Sequence, residues 1–160
     1  FKMTLSVDYD VIRSVKSNIS KLSYDLKKRA EKVVKACAED LLEKSRDLVP
    51  VDTGTLRESG KVRKKSIYEY EVVYDATVRE RRKAQGKGVQ GIADPDFKYG
   101  WRQHENLAYH HDIGQALYLE EPYQSNKDKY KEDIANAIKT EVRQTKWKSR
   151  GKGWSRRGRR

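Results

Sequence analysis

The chain has 160 residues, which suits one domain with one modest core. Only 36% of them are apolar and 38% are charged, so the interior must be assembled from few residues, helped by long exposed elements or by partner subunits. The formal charge of +12 points to acidic or polyanionic partners, the single cysteine rules out an intrachain disulfide, and no apolar run approaches the roughly 20 residues that span a bilayer.

Phe1–Tyr9 alternates weakly through Met3, Leu5 and Val7, as a short strand or an ordered arm would. The chain starts without an initiator Met and shows no signal peptide, so an upstream piece and a cytoplasmic setting are expected. From Val11 to Leu48 the period is helical: Ile12, Val15, Ile19, Leu22 and Leu26 recur at three and four residues, and Ala30, Val33, Cys37, Leu41 and Leu48 continue the stripe. Unbroken, that helix would be about 60 Å long. The pattern therefore predicts an end that projects onto a neighbour, with a break near Ser20–Tyr24 as the alternative. Cys37 lies on the apolar stripe and reads as a small buried hydrophobe.

The helix must stop at Pro50, which lacks an N–H and disfavours helical geometry at Val49. Asp52 and Thr53 have side chains suited to capping nearby backbone N–H groups, Gly54 can take positive φ, and Leu56 is placed to re-enter the core. Pro50, Asp52, Thr53, Gly54 and Leu56 thus predict a specified corner. The Asp52-Thr53-Gly54 triplet also occurs in aspartic proteases. Those enzymes need apolar strands around the triplet and a second Asp; here a charged helix precedes it and Leu56-Arg57-Glu58 follows.

After the corner, Lys61–Lys65 and Ile67–Tyr74 read as an antiparallel hairpin, with Tyr68, Tyr70, Val72 and Tyr74 on one face of the second strand. Asp75–Lys98 breaks all periodicity, and Arg79, Arg81, Arg82, Lys83 and Lys87 gather near Gly86, Gly88 and Gly91, so a functional basic loop is expected. A third strand is predicted near Phe97–Glu105. His104-Glu105 and His110-His111-Asp112 lack the spacing of a helical zinc motif, and no metal or other cofactor is expected.

Leu119, Tyr123, Tyr130, Ile134, Ile138 and Val142 mark a final helix with Pro122 in its first turn. It is expected to fade at Lys146. A basic arm follows, with Lys146, Lys148, Arg150, Lys152, Arg156, Arg157, Arg159 and Arg160 and no acid. Helix, strands, helix is an α+β order: one domain over 1–145 with a basic insertion at 75–98, and an arm over 146–160. The arm and the loop are candidate contacts to DNA phosphates or to a subunit interface.

The run Val49-Pro50-Val51-Asp52-Thr53-Gly54-Thr55-Leu56-Arg57, with Ser59 beyond it, resembles the hallmark of the small head–tail joining proteins of long-tailed double-stranded DNA phages, the tail-completion or minor capsid proteins. Gln103-His104-Glu105-Asn106 and Gly114–Pro122 are similar to that family's second block. The resemblance covers about residues 30–138. It implies an α+β fold and no catalysis. It also implies a ring, hexameric or alternatively dodecameric, between head connector and tail, with neck and tail proteins as partners. The basic segments add a non-specific contact with packaged DNA, and the lack of a spanning apolar run adds the expectation of no membrane. The long basic loop and the arm depart from the usual pattern. In such a ring Tyr68, Tyr70, Tyr74, His104 and Glu105 are candidate interface residues. Other readings are an adaptor or stopper ring below the portal, a free non-specific DNA binder, or an enzyme.

Overall fold

A computed structural model describes the backbone of residues 2–5 and 24–151, and the side chains of Tyr24 and residues 26–143. The first part of the expected long helix, with its projection or break, lies outside the described residues, as do residues 152–160 of the arm.

Helix α1 (Tyr24–Leu48) buries Leu26, Ala30, Val34, Cys37, Ala38, Leu41 and Leu42, a stripe broad enough to meet neighbours on two sides. It ends where Pro50 requires, its last turn closed by the Val49 amide donating to the Ser45 carbonyl (3.0 Å). One turn of helix, α2 (Thr55–Glu58), follows the corner and buries Leu56.

The hairpin forms as expected from β2 (Gly60–Ser66) and β3 (Glu69–Tyr74), antiparallel, with a register shift between Lys64 and Ser66. Tyr70, Val72 and Tyr74 join the core, in keeping with the alternation. Gly60 lies against Tyr74, whose ring would sit 2.6 Å from any added Cβ.

The third strand lies in the weakly alternating segment Phe1–Tyr9, one of the two readings open there, and not at Phe97–Glu105. It is β1 (Lys2–Leu5), paired antiparallel with β3 from Lys2↔Val73 to Leu5↔Tyr70, so β3 is central in the order β1-β3-β2. Phe97–Glu105 contributes only a lone bridge between Lys98 and Thr77 before becoming helix α4 (Gly100–Glu105). Its buried residues, Gly100 and His104, are four apart, the spacing of a helix and not of a strand.

The basic segment is also more ordered than its lack of periodicity suggested. Val78–Ala84 forms helix α3, started by a capping box in which Glu80 N–H donates to the Thr77 hydroxyl and Thr77 N–H to the Glu80 carboxylate. The last helix, α5 (Glu120–Gly151), carries Pro122 in its first turn but continues past Lys146.

The sheet packs on α1, and α1 packs on α5, around one core with Val72, Tyr74, Tyr118 and Leu119 almost wholly buried. A single copy therefore closes a substantial interior of its own, each fully buried large apolar side chain contributing about 2 kcal/mol. Tyr74 sits at the centre: its ring meets Tyr118 edge-on (5.2 Å) and its hydroxyl shares a hydrogen bond with Ser45 (2.7 Å). Among the described residues no helix is long and apolar enough to cross a membrane.

Candidate functional site

The corner is held from two directions. A strap over residues 108–115 crosses it: Val51 N–H donates to the Ile113 carbonyl (3.1 Å) and Gln115 N–H to that of Leu48 (2.9 Å). Gly114, at φ +90°, passes so close to Pro50 that a Cβ there would lie 2.6 Å from the proline backbone. Beyond the strap, Leu117 adopts a left-handed conformation (φ 52°), which is strained for a branched side chain. Its amide is anchored by the His104 carbonyl (2.9 Å), and the turn delivers Tyr118 and Leu119 into the core.

From the other side, α3 is clasped onto the corner. Asp52 does not cap the backbone; its carboxylate accepts from Arg81 (2.9 Å) and Gln85 (3.1 Å). Thr53 likewise turns its hydroxyl to that of Thr55 (2.7 Å). The Arg81 guanidinium also lies over the Tyr99 ring (5.6 Å). Gly54 takes the expected positive φ, +80°. This Asp is thus part of an exposed structural clasp, unlike the proton-sharing carboxylate of a protease.

Between corner, Arg81, Tyr99 and strap lies an open groove of about 560 Å³. Tyr109 and Ile113 line it, Tyr109 also lines a second groove with Trp101, and all three and Leu107 are large apolar side chains left exposed, Leu107 at 73% and Ile113 at 57%. Trp101 meets Phe97 edge-on (6.4 Å), and Arg102 covers Phe97 at 4.6 Å. The sequence reading missed these four residues. For Leu107, Tyr109 and Ile113 a signal was available: bulky apolar residues in a stretch with no periodicity have no core face to join.

The residues nominated for an interface divide. Tyr70, Tyr74 and His104 are interior to the single chain, because β3 is the central strand and His104 faces Tyr118 (5.0 Å); they offer no outer surface. Tyr68 is half-buried and Glu105 exposed, its carboxylate 3.0 Å from His104 Nδ1. Burial lowers the pKa of His104, against the raising pull of Glu105. Burial, then the nearby Asp133, raises that of Cys37 to about 11, which suits the buried hydrophobe expected. No group of three His, Cys, Asp or Glu among the described residues could hold a metal ion.

The basic loop divides as well. Arg79 is paired bidentately with Asp96 (2.8 and 3.2 Å), and that hydrogen bond holds the Asp96 carboxyl below its usual range. Arg81 is taken by Asp52, and Arg82 donates to the Gly88 carbonyl (2.5 Å). Lys83 and Lys87 are exposed and make no ion pair among the described residues. Lys146, Lys148 and Arg150 lie on the α5 backbone; Lys152, Arg156, Arg157, Arg159 and Arg160 fall outside the described residues.

A family model described as "Bacteriophage HK97-gp10, putative tail-component" matches residues 13–102, which include α1, the corner, the hairpin and α3. No curated protein and no solved structure matches the chain.

Proposed function

This chain belongs to the HK97-gp10-like family of bacteriophage tail components, and from that premise we propose that it is a structural protein of the phage neck whose copies close into a ring joining the head connector to the tail. The observation that carries the reading is the exposed strip Trp101, Tyr109 and Ile113, which line two grooves with Tyr109 common to both, together with exposed Leu107. Aromatic and aliphatic residues grouped on a rigid, clasped scaffold form the anchor of an interface. A neighbouring copy, offering a different surface, would cover the strip in a head-to-tail contact that closes on itself. The protein then acts by shape and charge complementarity, without a chemical step. In such a ring Arg82, Lys83, Lys87 and the arm from Lys146 border the channel or the subunit contact.

Mass photometry and negative-stain imaging test this reading. The wild-type chain is expected to form ring-sized oligomers, and Trp101→Glu with Ile113→Glu to yield folded monomers. A wild-type chain that stays monomeric at high concentration and ignores head and tail components overturns it.

A further inference from the structure

Helices α1 and α5 run antiparallel, and three places along them establish the register. Leu48 at the end of α1 holds Gln115 just ahead of α5, Tyr130 donates to Asp40 midway (2.6 Å), and Arg29 shares a groove with Thr140. The start of α1 therefore lies beside the later part of α5, which joins two charge runs that are far apart in sequence. Residues 24–37 carry Lys27, Lys28, Arg29, Lys32 and Lys35, and residues 137–151 carry Lys139, Arg143, Lys146, Lys148 and Arg150. Against these ten cations stand three acids, Asp25, Glu31 and Glu141. The other end of the same pair is acid-rich, with Glu39, Asp40, Glu43, Asp47, Glu120 and Glu121 prominent.

About half of the described cations elsewhere are in ion pairs, among them Lys61 and Arg63 with Asp75, Lys64 with Glu31, Lys65 with Glu71, Arg79 with Asp96, and Arg81 with Asp52. At the basic end, Lys27, Lys28, Arg29, Lys32, Lys139 and Arg143 are all exposed, and none makes an ion pair among the described residues. Such self-repulsion does nothing for the fold.

We propose that this basic end of the α1/α5 pair is a second phosphate-binding surface, separate from α3 and its loop, and that its ligand is the backbone of duplex DNA. A docked protein would need apolar anchors. Apart from Tyr24, the exposed large apolar side chains described lie elsewhere. A face rich in cations and, among the described residues, poor in anchors suits phosphates, bound without reading sequence. Lys27–Lys35 spans about 12 Å and Lys139–Arg150 about 16 Å. Duplex of that length carries about nine phosphates, and one face meets about four of them, giving a salt slope near −4. The inference extends the ring reading without depending on it. Rings with no affinity for DNA sink this inference alone; DNA affinity in a chain that never assembles sinks the ring alone.

The test is fluorescence anisotropy with the full chain and a labelled mixed-sequence duplex of about 30 base pairs, from about 50 to about 200 mM salt. Replacing Lys27, Lys28, Arg29 and Lys32 by Gln is expected to weaken binding about tenfold or more and to flatten the slope by about 0.9 for each phosphate no longer neutralised. Lys139→Gln with Arg143→Gln attacks the same surface from α5 and is expected to flatten it too. Lys127→Gln with Lys131→Gln removes two charges from the acidic end and is expected to leave binding within about twofold of wild type. Three results overturn the proposal: an unchanged slope in both basic-end variants, an equal loss in the acidic-end control, or loss of self-association with DNA binding intact. The last would mean that the face meets an acidic protein surface.

Discussion

The corner at Pro50 and the basic start of α1 lie about 30 Å apart on one helix, and they use positive charge in opposite ways. At the corner, Arg81 is spent on structure: it reaches Asp52, leans over Tyr99 and fastens α3 to the body. At the other end, Lys27, Lys28, Arg29 and Lys32 stand exposed and make no ion pair among the described residues. The charge of a residue thus says little about its task. What matters is whether a carboxylate from another element lies within reach, and that separates a cation that builds the fold from one left to solvent.

Substitutions can break this contrast, beginning with the largest effect. Gly114→Ala forces a side chain into the Pro50 backbone at an unfavourable φ, and is expected to cost about 3 kcal/mol or more, read as a fall in denaturation midpoint. A melting temperature within error of wild type would show that the strap does not hold the corner.

Acidification comes next. His104 has its pKa lowered in the folded chain, so the unfolded chain binds more protons there. The stability gained from neutral His104 is complete above the unfolded pKa of about 6.5 and is lost as pH falls below it. Thermal melts at about pH 7.5 and about pH 5.5 should show that loss, and the difference should shrink in His104→Phe. An undiminished difference in the variant would assign the acid sensitivity to other groups.

The smallest stability effect belongs to the cations themselves. Arg81→Ala removes a partly exposed clasp and should cost about 0.5–1 kcal/mol. Lys28→Gln with Lys32→Gln should change stability by no more than about 0.5 kcal/mol while flattening the salt dependence of DNA binding. Equal losses of stability at both places would erase the distinction drawn above.

Several features were legible before any coordinates. Pro50 ends α1, Gly54 turns at positive φ, Tyr70, Val72 and Tyr74 share the core face of β3, and Pro122 marks the start of α5. Each rests on stereochemistry within a few residues. The capping box Thr77-x-x-Glu80 was equally local, and it was hidden only by the density of charge around it. At Lys2–Leu5 the sequence left strand and arm both open, and at Gly100–Glu105 a helix stands where a strand was expected. A four-residue segment has too little periodicity to declare itself, and its state depends on what it packs against.

By itself the sequence determined where the chain bends, which residues are greasy enough to be interior, and that the protein carries far more positive than negative charge. Only the tertiary structure decided how that charge is used. It brought Asp52 to Arg81 and Asp96 to Arg79, withdrew Tyr74 and His104 from the surface, left Trp101 and Ile113 outside, and laid the start of α1 beside the later part of α5. Coulombic pairing and burial depend on distances through space, and those distances are set when the layers pack, not by the order of residues along the chain.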